Sequence, residues 1–310
     1  MQHEATRSAT DRIVFFNRHS GQEETEAVYG EAFLKWTYQS AVGRLALHAL
    51  AKRALFSRWY GWRMDQPASR AKVAPFVEKY GLNEAEFALP TADFPTFNAF
   101  FSRALQPTAR PIDAAPESLV FPADGRHLLI PQLNEPVDFW VKGLRFDVAA
   151  LLRDEALTRR FAGGSMLISR LCPVDYHRFH FPCAGVPSEA RRLDGPLFSV
   201  SPLALRARPS ILWENVRYLT ELDAGDGGRV LYLEIGATCV GAVRQTYRPG
   251  VAVAKGEEKG LFLFGGSSVI TLFEAGRVDW DNDLRRCSAR GMELYARMGE
   301  RVGRLQGAAS

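Results

Sequence analysis

The sequence predicts an α+β protein, with a helical N-terminal region over residues 1–110 and a mainly β core over residues 111–310. Three observations support this fold class. The first hundred residues are mostly helical in character and rich in Trp, Tyr and Phe. A proline-punctuated stretch then follows between residues 90 and 116, where the architecture is expected to change. Beyond it, short runs of β-branched and aromatic residues alternate with glycines, which favours a sandwich or barrel-like sheet.

In the N-terminal region, helices are expected from about residue 23 to residue 63 and again over residues 71–80. Gly81 marks the end of the second helix, because glycine readily adopts the conformation that closes helices. Asn83 then offers an N-cap for a short helix through Glu86, since its side-chain oxygen can accept from a free backbone amide.

The segment of residues 41–72 is strongly basic. It carries seven Lys and Arg residues against the single acid Asp65, a net charge of +6, and Trp and Phe are interleaved with them. This composition favours a peripheral segment that attracts anionic lipid. The basic residues do not share one helical face, so the alternative is a solvated helix that packs on the core through its aromatic residues.

Three β-rich runs stand out in the core, over residues 230–235, 261–264 and 267–273. Near the C-terminus, glycines make one long helix costly. A short helix ending at Arg290 and a strand over residues 293–298 are therefore expected.

Composition excludes several classes of protein. The chain has 310 residues, is 46% hydrophobic and carries a net charge of only +4, which argues against a wholesale nucleic-acid binder. Its four cysteines lack the spacing of a zinc knuckle or a disulfide framework, so a reduced, cytosol-facing protein is expected. Neither a signal peptide nor a membrane-spanning stretch is expected.

Two histidines, His177 and His180, lie three residues apart in a segment rich in polar and aromatic residues. They would point to opposite faces of a strand but could converge in a turn. A supporting third ligand is missing from the nearby sequence, so surface histidines are favoured over metal ligands and no metal is expected. Asp124 lies in a Pro-Ala-Asp-Gly stretch that is typical of a turn, where such a residue usually hydrogen-bonds its own backbone.

The stretch from Gly265 to Ser268 joins two of the β-rich runs. It could be a hairpin turn, a phosphate-binding loop or the place of a nucleophilic serine. The phosphate loop lacks its lysine, and the sequence does not match the nucleophile elbow of hydrolases. One physical reason favours a special serine: Gly266 leaves its carbonyl open to attack by the hydroxyl of Ser267. An ester would replace the peptide bond, and elimination would then split the chain and leave a pyruvoyl group.

Six ordered segments together resemble the phosphatidylserine decarboxylase family. They are Val28-Tyr29-Gly30-Glu31; Phe97 to Arg103 with Ala109 to Ile112; Pro122-Ala123-Asp124-Gly125; Asp175 to His180; Ile235 to Gly241; and Lys255 to Gly260 ahead of Gly266-Ser267. Ser268 stands where the family usually has Thr, and Phe121 where Ser is common. His127 has no role that the resemblance assigns.

The resemblance implies a role for each candidate residue. Self-cleavage between Gly266 and Ser267 would give a large chain (residues 1–266) and a small chain (residues 267–310), which stay associated. Asp124 and His180 would form a charge relay that activates Ser267, and Ser267 would become the pyruvoyl cofactor. His177 would act later, as an acid/base near the decarboxylating carbon.

The implied activity is decarboxylation of phosphatidylserine to phosphatidylethanolamine, at the cytoplasmic face of the membrane and with the protein bound peripherally. A soluble pyruvoyl-dependent amino-acid decarboxylase of the same family is the alternative. An uncut β-rich binding module and a serine hydrolase that uses Ser267, His180 and Asp124 are less favoured. A homodimer is left open.

Overall fold

In the computed structural model, the described residues are 13–26, 59, 61–133, 137–139, 141–144, 146–236, 243–264 and 267–307. The strands are β1 (Val14–Asn17), β2 (Gln22–Thr25), β3 (Ser118–Val120), β4 (Gly125–Ile130), β5 (Val137–Phe139), β6 (Val141–Leu144), β7 (Ser165–Leu171), β8 (Arg178–His180), β9 (Val186–Pro187), β10 (Arg191–Leu193), β11 (Arg217–Asp223), β12 (Arg229–Ile235), β13 (Val243–Gln245), β14 (Glu258–Phe262), β15 (Ser267–Phe273), β16 (Val278–Trp280), β17 (Glu293–Ala296) and β18 (Arg301–Leu305). The α-helices are α1 (Val73–Tyr80), α2 (Phe97–Phe101), α3 (Val148–Leu152), α4 (Glu155–Arg160), α5 (Pro202–Ala207), α6 (Ile211–Glu214) and α7 (Asn282–Ala289). The protein is thus α+β and mostly sheet.

The main sheet has the strand order β10-β11-β12-β15-β7-β4-β17-β1-β2, with β9 beside β11. All of its pairs are antiparallel except β1 with β17. Smaller sheets are formed by β13-β14-β8, β16-β18-β3 and β5-β6. Strands β12, β15 and β7 lie in the middle of the main sheet, and β15 starts at Ser267.

Both faces of the central strands are covered. Met166 and Ile168 of β7 pack in one apolar cluster with α3 to α6, while Leu167 packs in another with α7. Alternate side chains of a strand point to opposite faces, so β7 is buried on both sides. The start of β15 is therefore placed deep in the protein rather than in an exposed hairpin turn.

The expected strands are confirmed at β12, β14 and β15, and the expected C-terminal helix and strand are confirmed at α7 and β17. The stop at Gly81 is also confirmed, because this residue closes α1 in the left-handed conformation with φ of 59°. Asn83 caps the short 3-10 helix Glu84–Glu86 by accepting from the Ala85 amide.

The prediction of a helix starting near Glu23 is wrong, because residues 22–25 form strand β2. A tight turn with Gly21 at φ of 67° folds β2 back on β1. Strand β1 in turn pairs with β17, and the burial of Ile13 and Phe15 on either side of the exposed Val14 is typical of a strand. Further along the expected first helix, residues 27–58 and 60 lie outside the described residues, whereas residues 59 and 61–63 are helical, as expected.

A buried ionic network fastens the β1–β2 hairpin to the sheet. The Glu26 carboxylate pairs with Arg170 of β7 at 2.6 Å, and Arg170 also pairs with Glu293 at 2.6 Å. Burial alone would raise the pKa of Glu26, but Arg170 and Arg126 lower it to about 2. The carboxylate is thus charged where the N-terminal hairpin joins the core.

An aromatic cluster joins the N-terminal helices to the segment that precedes β15. Phe76 of α1 packs edge to face against Phe97 and Phe100 of α2. Phe264 has the same kind of contact with Phe97 and Phe101. Phe264 lies three residues before Ser267, so this cluster supports the approach to the expected cleavage site. In the part of the chain that the structure describes, every helix is too short or too polar to cross a bilayer.

Candidate active site

Ser267 begins β15 and is completely buried. Its cross-strand partner is Leu171 of β7, while the following residue, Ser268, pairs with Ile235 of β12 and Arg170 of β7. Alternation along the strand directs the two serine side chains to opposite faces. Gly266 lies outside the described residues.

His177 contacts Ser267 directly. Its Nδ1 atom lies 3.4 Å from the Ser267 hydroxyl oxygen, and its Nε2 atom lies 3.0 Å from the Cys172 carbonyl oxygen. A carbonyl only accepts, so we assign the ring proton to Nε2. The Nδ1 lone pair then faces Ser267 and can accept its hydroxyl proton.

The surroundings of His177 keep it neutral. The ring is fully buried and stacks on Phe101 at a centroid distance of 3.8 Å. Burial, followed by the charge of Arg103, lowers the pKa of His177 to about 3. At neutral pH the residue is a neutral imidazole, with its proton on Nε2, beside an apolar wall.

His180 is close to this site but has other partners. Its Nδ1 atom lies 2.9 Å from the Gly256 carbonyl oxygen, and its Nε2 atom lies 3.2 Å from the Tyr176 hydroxyl. Burial lowers the pKa of His180, while the carboxylates of Glu258 and Asp124 act to raise it. The ring therefore feels Asp124 electrostatically, but it does not hydrogen-bond Ser267 in this structure.

Asp124 does not form the self-contained turn that its sequence favours. Its carboxylate accepts from Nε and Nη2 of Arg110 at 2.6–2.9 Å and from the Met298 amide at 2.9 Å. Arg110 also donates to Glu86 at 2.9 Å. Asp124 is 1% exposed, so this pairing compensates the burial of its charge. A Cβ on the neighbouring Gly125 would lie 2.5 Å from the Arg170 carbonyl oxygen, which explains the glycine.

The structure thus places His177 against Ser267, whereas His180, the residue expected to activate Ser267, contacts Tyr176 and Gly256, and Asp124 pairs with Arg110, to which the sequence assigned no role. The only signal was the position of Arg110 in a family-like segment. His127, which had no expected role, is a core residue: its ring nitrogens contact Ser169 Oγ at 2.9 Å and the Ala296 carbonyl oxygen at 3.3 Å. Burial lowers the pKa of His127 to about 3.

The residues around position 267 fit a pyruvoyl group. Conversion of a serine residue to pyruvoyl removes its nitrogen and its hydroxyl oxygen and adds one oxygen from water, a net loss of one heavy atom, so the buried site has room for it. Phe101 and Phe264 provide an apolar wall, and the neutral His177 lies beside the position of the new ketone. Among the described residues, no group of three or more His, Cys, Asp or Glu could hold a metal ion.

Comparisons with known proteins agree with these observations. The family model described as phosphatidylserine decarboxylase matches residues 97–304. A phosphatidylserine decarboxylase proenzyme of Chlamydia pneumoniae is 41% identical over 292 residues, which cover 94% of this chain and 97% of the relative. The proteins of the same name in Chlamydia muridarum and Clostridium novyi are 42% and 40% identical over 95% and 94% of this chain, and the matches cover 98% and 99% of those relatives. The chain belongs to the phosphatidylserine decarboxylase family.

Proposed function

We propose that this chain is a proenzyme that cuts itself between Gly266 and Ser267 and then decarboxylates phosphatidylserine to phosphatidylethanolamine and CO2. The observation that carries the proposal is the contact between the buried Ser267 hydroxyl and the unprotonated Nδ1 of His177. Family membership and near full-length similarity to proteins named as such proenzymes support it.

The cut requires a base for the Ser267 hydroxyl. As the oxygen attacks the Gly266 carbonyl, its proton moves to the base, the C–N bond breaks and an ester forms. We assign this base to His180, because Glu258 and Asp124 raise its proton affinity, whereas Arg103 lowers that of His177. The assignment requires the His180 ring to leave its hydrogen bonds with Tyr176 and Gly256 and approach Ser267.

Elimination then breaks the Cβ–O bond of the ester, so that the former Ser267 oxygen leaves on the new carboxyl end of the large chain and residue 267 becomes dehydroalanine. One water hydrolyses this residue, which releases its nitrogen as ammonia and leaves the pyruvoyl group. This group supplies an electron sink for the loss of CO2 from a serine headgroup. His177 remains beside residue 267. Because its Nδ1 carries no proton at rest, we assign to it the transfer of a proton from the substrate ammonium group to the carbon that loses its carboxylate. The apolar wall of Phe101 and Phe264 excludes water from this place.

The N-terminal region provides the contact with the lipid surface. Trp59 and Trp62 are 48% and 59% exposed, in the basic segment of residues 41–72. Such rings are typical of the boundary between water and lipid, and the net positive charge of the segment favours anionic headgroups. We infer that the protein works as a peripheral membrane enzyme.

The test combines mass spectrometry with a lipid assay. Intact-mass measurement on purified protein should give two chains, residues 1–266 and residues 267–310, the latter with a ketone that an amine and borohydride trap. Incubation with vesicles of phosphatidylserine should release CO2 and phosphatidylethanolamine. A fully active sample with one species of 34.6 kDa and an unmodified Ser267 would contradict the proposal.

A further inference from the structure

A cavity of about 330 Å³ lies next to the proposed charge relay and has no role so far. Asp124 and Tyr176 form part of its wall, and Tyr176 in turn contacts His180. The remaining polar wall includes four arginines: Arg103, Arg110, Arg126 and Arg297. Pockets for small ligands have roughly 300–1,000 Å³, so the volume suits a compact polar group.

Three of these arginines have a buried Nε atom without a hydrogen-bond partner among the described residues: Arg103, Arg126 and Arg297. A buried donor without an acceptor costs about 1–3 kcal/mol. Native proteins rarely leave such atoms unsatisfied, and an ion or water at the site is a usual explanation. Three arginines that each have an unsatisfied donor thus line the same cavity, which points to an acceptor that binds there.

Arg103 is the strongest case, since it is 5% exposed and forms no ion pair with a described carboxylate within 4 Å. Among the described residues, its Nη1 and Nη2 atoms donate only to the carbonyl oxygens of Phe100, Val174 and Asp175, at 3.3–3.5 Å. These distances exceed the usual range for N–H···O bonds. The rings of Phe87 and Phe100 lie 4.9 Å from the guanidinium carbon, so aromatic rings face the guanidinium.

The wall also carries four carboxylates, those of Glu24, Glu86, Asp124 and Asp175, and each of them already accepts from another side chain. Asp124 accepts from Arg110, and Asp175 accepts from Nη1 of Arg126 at 2.6 Å and from the Cys172 amide. The Nε atom of Arg126 remains 3.6 Å from the Glu26 carboxylate, too far for a hydrogen bond. Among the described residues, Arg103 is thus a buried cation without a directly paired carboxylate, and the charges of Asp124 and Asp175 act on it from beyond ion-pair distance.

We propose that this cavity binds a phosphoryl oxyanion and that Arg103 is its principal donor, with Arg297 and Arg126 at its edge. Guanidinium groups match the geometry of phosphate oxygens and are always charged, so they suit this ligand. Two sources have the required chemistry, the phosphodiester of a lipid headgroup and free phosphate. The headgroup source rests on the proposed decarboxylation, whereas the anion site itself does not.

The position of Arg103 links this site to the reaction. Arg103 contacts the carbonyls of Val174 and Asp175, and the same loop carries His177 and Cys172. Arg103 also lies close enough to His177 to lower its pKa. An anion on Arg103 therefore binds next to the loop that presents His177 to residue 267.

The test is a calorimetric titration of the full-length, self-processed protein with inorganic phosphate and, separately, with soluble glycerophosphoserine. We expect wild-type protein to bind, and Arg103→Met to bind both probes at least tenfold more weakly. Arg285→Met is the matched control, because Arg285 is exposed and pairs only with Asp279 in the described structure. This control should leave binding unchanged.

Steady-state kinetics on phosphatidylserine vesicles then separates the two sources. For the headgroup, Arg103→Met should raise KM at least tenfold with kcat within threefold of wild type, and free phosphate should compete. For free phosphate alone, the variant should lose phosphate binding with an unchanged KM. A variant that binds both probes as wild type but has a reduced kcat would show a positioning role instead and would overturn the proposal.

The proposal is also overturned if wild-type protein that cuts itself and releases CO2 binds neither probe. Conversely, phosphate binding through Arg103 in protein that does not decarboxylate phosphatidylserine would refute the proposed function and leave the anion site intact. If Arg103→Met does not fold, Arg297→Met decides, because Arg297 is half-exposed. A threefold or greater loss of phosphate binding in Arg297→Met supports the site, and unchanged binding refutes it.

Discussion

The hydroxyl oxygen of Ser267 lies 3.4 Å from Nδ1 of His177, on the side of the ring that carries no proton. Ser267 begins β15, whereas His177 lies just before β8, ninety positions away in the sequence. Burial keeps the imidazole neutral, so its lone pair is available at the residue expected to become the prosthetic group. The self-cleavage and the lipid reaction are thus centred on one position.

Substitution of the two adjacent serines should separate their roles. Ser267→Ala removes the attacking oxygen, so the protein should remain one chain of 34.6 kDa without activity. Ser268→Ala is the matched control: its hydroxyl is buried without a partner among the described residues and points to the other face, so cutting should continue. Intact-mass spectra check both. Cutting at the same place in Ser267→Ala would refute the assignment.

The two histidines should differ in the step that they affect. His177→Ala should still cut but release CO2 at least ~100-fold more slowly, because it lacks the acid/base next to residue 267. His180→Ala should remain uncut, since the base for the Ser267 proton is lost. Gel analysis of the chains and CO2 release distinguish the variants. An uncut His177→Ala together with a cut His180→Ala would exchange the two roles.

Loss of Arg110 should destabilise the protein. In Arg110→Met the buried Asp124 carboxylate loses its partner, which costs about 3 kcal/mol of unfolding free energy. Arg290→Met is a suitable control, because its pair with Glu23 is exposed and should contribute less than about 1 kcal/mol. Both variants are made in the uncut Ser267→Ala protein, and urea denaturation measures their free energies of unfolding. Equal midpoints for the two variants would argue against a structural role for the Arg110–Asp124 pair.

The Glu26 network should make stability depend on pH. The pKa of Glu26 is lowered in the folded protein from 4.5 to about 2, so its contribution is complete above pH 4.5. It is lost as the pH falls from 4.5 towards 2, because in this range the carboxylate takes up a proton in the unfolded chain while it stays charged in the folded protein. Relative to Glu26→Gln, the uncut Ser267→Ala protein should be more stable by about 3 kcal/mol at pH 6, and this difference should shrink below pH 4.5.

Glu155→Gln is the control for this profile, since the Glu155 side chain is 85% exposed. Its stability should follow that of the parent at every pH. A Glu26→Gln difference that is constant from pH 6 to pH 2 would contradict the lowered pKa.

The exposed tryptophans should be needed for lipid binding. Trp62→Ser should weaken binding to anionic vesicles about tenfold, because an apolar ring no longer enters the interface. Val251→Ser, at another exposed apolar residue, should bind as wild type. Vesicle flotation measures both. Equal binding of the two variants would place the lipid contact elsewhere in the chain.

Local signals predicted the fold where neighbours in sequence decide it. Gly81 and Asn83 end one helix and cap the next, and β12 and β15 follow from short runs rich in β-branched and aromatic residues. Strand β7 is not among the β-rich runs that stand out in the sequence, and Arg170 interrupts its apolar residues. That arginine is tolerated only because Glu26 and Glu293, both more than a hundred residues away, neutralise it.

The candidate site likewise divides into features that the local sequence indicates and features that depend on distant contacts. The roles expected for Asp124, His177, His180 and Ser267 came from residue types and family-like segments. The pairing of Asp124 with Arg110 and the approach of His177 to Ser267 depend on contacts between distant elements. Sequence order alone does not determine them. The unsatisfied arginine donors around the cavity likewise emerge only when the chain is folded.

Strand β15 pairs with β7 from Ser267 to Phe273 on one side and with β12 from Ser268 to Phe273 on the other. The uncut polypeptide can form this arrangement in a single unimolecular event. After the cut, the large and small chains of a denatured sample would have to associate before they could refold. Residue 267, which joined them, would carry a ketone instead of an amide. Maturation thus converts a reversible folding problem into a bimolecular one, so recovery of activity after denaturation should depend on protein concentration.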